Sequence, residues 1–526
     1  MPKPFDFGGV NLTAGEDISG AHRAAETPFC IAILGDFSGR ANRRISDAKT
    51  IGKRRAWLVD RDNFDEVLSR SGAEIQLPIE DSGSLHLRFS ELEDFHPDRI
   101  FERLEIFGKL RDLRGGLQDP ATFQKAAEQL GLRSSDSAPE ARKPDTATVG
   151  PAVAPSAVQL ASGSLLNEMI EQTEARGVTN RPQHSITRST DEVHEFARRV
   201  VAQHLVSTPD PRQPEILAVI DRAIGSLMRA VLHNPDFQAL EAAWRAVFLL
   251  VRQLETGSQL KLYLFDISKE ELAADLSSVS DLRNTGIYRL LVEQTIETPG
   301  ADPWAIIVGN YSFGSANEDA ELLSRMAKIA SRARAPFLAA ASPSLLGCAS
   351  LASTPASAPQ PREWKSLPED LARGWAELRH LPEADAVGLA LPRFLLRLPY
   401  GRKTSPLESF DFEEFPEMPV HDDYLWGDPA FAAALLLGQS FSAAGWEMRP
   451  GNVTEIEQLP LHIYLKAGES ESKPCAEVLL TEDAVERILE AGLMPLVSFK
   501  GRDRVRLVRF QSIADPPRAL AGRWCH

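Results

Sequence analysis

The sequence predicts a mixed α/β fold: a small N-terminal α/β domain, a flexible linker and a larger two-part α/β domain. Three observations lead there. Short apolar runs bounded by glycine and turn residues recur at residues 29–34, 304–309 and 336–341, as expected of strands buried on both faces. Helical periodicity lies between such runs, and strand alternating with helix at this spacing argues for a parallel sheet layered by helices. Residues 134–163 are rich in Ser, Pro, Ala and Thr and lack aromatic residues. That is linker composition, and a flexible coil of this length spans roughly 30 Å, enough to set two folded units side by side.

Taken in order, residues 1–27 are polar, with one short extended candidate at 5–12. The strand at 29–34 stops at Gly35-Asp36-Phe37-Ser38-Gly39-Arg40. A phosphate-loop reading fails there, because neither G-x-x-x-x-G-K-[ST] nor G-x-G-x-x-G is present, so the turn redirects the chain. A basic run, Lys53, Arg54 and Arg55, leads into a strand at 56–60 and a short helix at 63–68. Residues 75–79 and 85–89 alternate as a hairpin around Asp81-Ser82-Gly83-Ser84. A helix opens at 94–98 and runs through Ile100, Leu104, Phe107 and Leu110. This first unit covers residues 1–133.

Beyond the linker, residues 164–190 hold a serine-capped amphipathic helix, apolar at Leu165, Leu166, Met169 and Ile170, and its connector. Such a helix is either a docking leg for its own protein or a peptide for a partner. The next unit, 191–350, opens with helical sequence that ends near Gly257. At its centre Phe237, Leu240, Trp244, Val247, Val251 and Leu254 recur at steps of three and four and line one buried face. Glu241 and Arg245, four apart, can pair for about 0.3–0.5 kcal/mol and are expected on a solvated face. Residues 260–267 form a strand, and Ser268-Lys269-Glu270-Glu271 is a capping box opening a helix through Leu276. A helix at 318–334 follows. The last unit, 351–526, opens on a Pro/Ser loop and holds an acidic-aromatic run at 410–426, a helix at 429–445 and strands as far as Phe510.

Composition narrows the function classes. A chain of 526 residues accommodates several domains. Its 74 acidic against 58 basic residues give a charge of −16, which argues against nucleic acid and anionic membrane surfaces. Cys30, Cys348, Cys475 and Cys525 lie far apart, with no C-x-x-C, so neither a disulfide framework nor a zinc site is expected. No apolar run approaches the roughly 18–20 residues that span a bilayer, and the N-terminus lacks a signal-peptide pattern. A cytoplasmic protein is expected, without membrane insertion.

Catalysis has little foothold. His421-Asp422-Asp423 are adjacent and do not converge as metal ligands do. Gly438-Gln439-Ser440-Phe441-Ser442 lacks the last glycine of a nucleophile elbow. No cofactor and no metal are expected; the remote enzymatic alternative is a scattered α/β site using Asp36, His421 or Asp423. A charge contrast is more informative. Arg393, Arg397, Arg402 and Lys403 precede Glu408, Asp411, Glu413, Glu414, Glu417, Asp422 and Asp423. Such patches pair internally or act as contacts between subunits, with Arg393, Arg397, Arg402, Glu413 and Glu414 as the candidates.

Several longer strings carry a resemblance. Phe237-Gln238-Ala239-Leu240-Glu241-Ala242-Ala243-Trp244-Arg245, Ser268-Lys269-Glu270-Glu271-Leu272, Gly309-Asn310-Tyr311-Ser312-Phe313, Ala335-Pro336-Phe337, the stretch 391–401 and Tyr424-Leu425-Trp426-Gly427 resemble the large sheath subunit of bacterial type VI secretion systems, the TssC or VipB family. The small subunit, TssB or VipA, is resembled by residues 34–39, 59–65 and 89–98. The chain thus looks like a small-to-large fusion protein. In that family the two subunits pair, and the pairs stack into a contractile tube around an inner tube of Hcp. Contraction drives that tube into a target cell and delivers effectors, and a ClpV-type AAA+ ATPase dismantles the sheath by gripping an N-terminal helix of the large subunit. Leu165, Leu166, Met169 and Ile170 stand where that helix is found. The resemblance implies a structural protein, not an enzyme, with copies of itself or other sheath subunits, Hcp, ClpV and baseplate proteins as partners. The family's large subunit continues past residue 526 with strands that neighbours exchange. A chain without them is expected to serve either in the bulk sheath or as a sheath-like accessory near the baseplate.

Overall fold

A computed structural model describes residues 27–79, 83–118, 122, 126–127, 130, 212–352 and 364–524. Every residue of β1 (Phe29–Gly35) is buried. Phe29, Ile31 and Ile33 enter one core while Cys30, Ala32 and Leu34 enter another, as the two-residue pleat requires. After it come β2 (Trp57–Val59), α1 (Phe64–Ser71) and the antiparallel hairpin β3 (Glu74–Ile79) and β4 (Gly83–Arg88). The helix expected from residue 94 is two helices, α2 (Pro97–Arg103) and α3 (Glu105–Gln118), because Leu104 takes an extended ψ of 125°.

The long helical stretch is likewise divided, into α4 (Arg212–Leu232) and α5 (Pro235–Gln253). Asn234 makes the break: its side-chain oxygen accepts from the N–H groups of Asp236 (2.9 Å) and Phe237 (3.3 Å), and Pro235 takes the first helical position. Next are β5 (Leu260–Asp266), α6 (Lys269–Ser277), a π-helical turn at Arg289–Glu293, β6 (Trp304–Phe313), α7 (Asn317–Ala333) and β7 (Phe337–Ala341). Beyond them lie α8 (Glu369–Arg379), β8 (Val387–Leu391), β9 (Phe394–Leu395), β10 (Trp426–Gly427), α9 (Pro429–Ala444) and β11 (Glu455–Ile456). The chain closes with β12 (Ile463–Lys466), β13 (Glu469–Ser472), α10 (Glu482–Glu490), β14 (Met494–Ser498) and β15 (Val505–Leu507).

Nine strands form one sheet in the order β11-β15-β14-β8-β7-β6-β1-β5-β2. The run from β14 to β5 is parallel, with antiparallel strands at both ends. Helices α1–α5 and α9 cover one face, and α6, the π-turn, α7, α8 and α10 cover the other. This is the mixed α/β architecture expected. In α9 residues 430–437 are fully buried, as befits a helix that is apolar all round.

The sequence assigns residues 1–133 to a domain of their own, and here the strands differ. β1 pairs with β5 from Phe29↔Leu260 to Gly35↔Asp266, and with β6 on its other side. The first segment therefore supplies an interior strand to a sheet whose neighbours lie more than two hundred residues away. An all-apolar strand must be flanked by strands and covered on both faces, which β2 and the β3–β4 hairpin cannot provide alone. The division near 350 is also bridged, since β7 pairs with β8 through Phe337↔Val387. The extended candidate at 5–12, the linker 134–163, the helix with Leu165, Leu166, Met169 and Ile170, and the loop at 354–361 lie outside the described residues. Among the described residues no helix is long and apolar enough to cross a membrane.

Candidate functional site

The apolar positions of α5 reach the core as their spacing requires: Phe237, Leu240 and Trp244 are buried, and Phe237 meets the rings of Phe89 and Phe95 from the first segment. Trp244 also donates its indole N–H to the Phe37 carbonyl at 2.9 Å. Glu241 is where the expectation of a solvated face fails. It is fully buried and accepts from Arg245 Nε at 2.7 Å and Arg397 Nε at 3.0 Å.

Arg397 joins that contact to a second carboxylate. Its Nη1 and Nη2 donate to Glu414 at 2.8 and 3.1 Å, and Glu414 also accepts from the Tyr400 N–H at 2.7 Å. Arg245 reaches the Tyr400 hydroxyl at 3.2 Å, and the Arg397 guanidinium lies 4.3 Å from the Tyr400 ring centre. Burial raises the Glu414 carboxyl, but the Arg397 charge, His233 and the Tyr400 N–H outweigh it and hold it down at about 2. Two carboxylates and two guanidinium groups thus balance, with Glu241, Arg397 and Glu414 buried and the Arg245 side chain 20% exposed at the edge. His96 of the first segment flanks the cluster on one side, edge-on to Tyr400 at 4.9 Å. Pairing of this kind ties α5 to the 391–414 stretch: removing one partner of a buried pair costs about 3–5 kcal/mol.

A second cluster links the first segment to β5 and α6. Glu271 accepts from Arg40 Nε and Nη2 (2.9 and 2.8 Å) and from Arg54 Nη1 and Nη2 (2.9 and 2.7 Å). It also completes the expected capping box with Ser268. Burial raises its carboxyl, and the hydrogen bonds from Arg54 and Arg40 lower it to about 2. Asp266 accepts from the Ser38 hydroxyl at 2.7 Å and the Phe37 N–H at 2.9 Å. The capping-box spacing reveals the local role of Glu271; nothing in the sequence marks its bond to arginines more than two hundred residues away.

The remaining candidates separate. Arg397 and Glu414, considered for contacts between copies, face each other inside the chain. Arg393 pairs with Glu477 at 2.5 Å, and Arg402 with Asp411. Glu413 accepts from the Arg402 N–H at 3.1 Å; Arg402 and Glu413 stay exposed. Asp36 accepts from the N–H groups of Arg40 and Ala41 and so holds the turn after β1. His421 lies against Glu477 (3.2 Å) and Lys473 (2.8 Å), while Asp423 faces His233 at 3.5 Å. These three therefore do not converge. No group of three metal-ligating side chains comes together among the described residues.

Comparison with known proteins gives two family matches. Residues 214–514 match VipB, described as EvpB/VC_A0108, tail sheath N-terminal domain. Residues 9–131 match T6SS_VipA, described as type VI secretion system, VipA, VC_A0107 or Hcp2. The type VI secretion system sheath protein TssC1 of Pseudomonas aeruginosa is 33% identical over 353 residues, covering 63% of this chain and 68% of that protein. Sheath protein TssB1 of the same organism is 21% identical over 134 residues, covering 24% of this chain and 76% of that protein.

Proposed function

The chain belongs to the VipB tail-sheath family of type VI secretion systems, and on that footing we propose that it assembles around an Hcp inner tube for contraction-driven effector delivery. One observation carries the reading: the VipA-like segment lends β1 to the middle of the sheet built by the VipB-like segment. One chain then holds in a fixed register what two subunits would otherwise bring together. In this reading residues 1–133 are the small-subunit part, 134–163 the linker, 164–190 the docking region, and 191–350 and 351–526 the two parts of the large subunit. Leu165, Leu166, Met169 and Ile170 are the apolar face offered to a ClpV-type ATPase. Baseplate proteins complete the partners, and the protein works in the cytoplasm. Its work is mechanical, not catalytic: the buried Glu241–Arg397–Glu414 cluster keeps each copy rigid while contacts between copies switch between two packings.

The test is negative-stain electron microscopy of the purified full chain, alone and with its inner-tube protein. Striated tubes or stacked rings are expected, more of them with the inner tube present. Discrete particles that bind sheath or baseplate proteins would instead make the protein an accessory docked on a sheath, and particles that bind neither would remove the reading.

A further inference from the structure

A pocket of about 530 Å³ opens on the sheet face covered by the π-helical turn, beside the edge strand β2. Tyr263, Phe265 and Trp304 form its aromatic wall, with Tyr263 and Trp304 edge to face at 5.3 Å. Its rim is cationic. Arg54 is engaged by Glu271 and Asp302 by Lys261 at 2.7 Å, but Lys53 and Arg55 are exposed, and neither side chain has an ion-pair partner among the described residues. An aromatic wall and two exposed cations together suit an apolar segment that carries carboxylates.

The same chain exposes such a segment. At residues 416–422 Met418 and Val420 are 47% and 54% exposed, and Glu417 and Asp422 flank them without ion-pair partners among the described residues. The segment is held to α5, whose Gln238 side chain donates to the carbonyls of Asp422 and Asp423. α5 covers the opposite face of the sheet from the pocket, so no copy can place this tip in its own pocket. We propose that the 416–422 tip of one copy docks in the Lys53/Arg55/Trp304 pocket of a second copy. Glu417 and Asp422 then meet Lys53 and Arg55, while Met418 and Val420 cover the aromatic wall. Tip and pocket are different surfaces, so the contact is head-to-tail, and its repetition gives a ring or a helix. The inference rests on the assembly reading above and names one of its contacts.

Two double variants test it by sedimentation velocity at low salt, with the full chain. Lys53→Glu/Arg55→Glu reverses the pocket; Glu417→Lys/Asp422→Lys reverses the tip. Each alone sets like charges against each other, and the concentration for half-assembly is expected to rise at least ~10-fold. An equimolar mixture is expected to recover wild-type association, because each copy's tip then meets a complementary pocket on the other kind of copy. Recovery also shows that both variants are folded. Wild-type association with variants that associate equally well, or a mixture that does not recover, overturns this contact alone. A wild-type chain that stays monomeric with its inner-tube protein removes the assembly reading and this contact with it.

Discussion

Arg397 donates to Glu241 and to Glu414 at once, so its side chain decides whether two buried carboxylates are matched. Arg397→Ala leaves two buried carboxylates with fewer donors, and the expected loss is about 3–5 kcal/mol in chemical denaturation. Glu414 gives the same cluster a pH signature. Its folded pKa of about 2 lies below the ordinary 4.5, so the stability it contributes is fully present above about pH 4.5 and is lost as pH falls towards 2. Glu414→Gln should therefore lower stability at neutral pH and flatten the acid limb of the stability–pH curve. The limb shrinks without vanishing, because Glu271 and Glu477 are also held at about 2. An unchanged acid limb in the variant would show that Glu414 is not ionised against Arg397.

At the scale of elements, Asn234 stands where one continuous apolar pattern has to become two helices. Its side chain caps α5 through the N–H groups of Asp236 and Phe237. Asn234→Ala is expected to cost about 1 kcal/mol in denaturant, and Asn234→Asp much less, since aspartate caps equally well. The same stretch shows how far sequence reaches. Strands such as β1 and β7 are legible because both faces are apolar, and α5 because its apolar residues keep helical steps. The division at Leu104 is not, since nothing in a leucine announces an extended ψ within a helical period. Nor is the burial of Glu241. Periodicity marks the apolar stripe and leaves charged residues to solvent, while its partner Arg397 lies 156 positions away. Arg397 and Glu414 stand out in the sequence only as opposite charges; their closure on each other and on Glu241 depends on tertiary contacts that no local pattern encodes.

On the scale of the whole molecule, the decisive feature is that the first segment cannot leave the second intact. Withdrawing β1 would strip β5 and β6 of a neighbour along their length, expose Phe29, Ile31 and Ile33 on one side and Cys30 and Leu34 on the other, and unpair Glu271 from Arg40 and Arg54. Fully burying side chains of this size stabilises by roughly 1.5–3 kcal/mol each, and the open strand edges that remain are templates for aggregation. Covalent continuity through residues 134–163 is therefore not what holds the two segments together. A protease site inserted there and cut is expected to leave both pieces in one particle on a native sizing column, parting only in denaturant. By the same argument residues 191–526 produced without 1–133 should be recovered aggregated, and co-production of the two pieces should restore a soluble complex. If the cut pieces parted on the native column, the shared sheet would be wrong. If they stay together, covalent continuity sets the stoichiometry of the two segments and shortens their search for each other, while the sheet itself supplies the strength of the pairing.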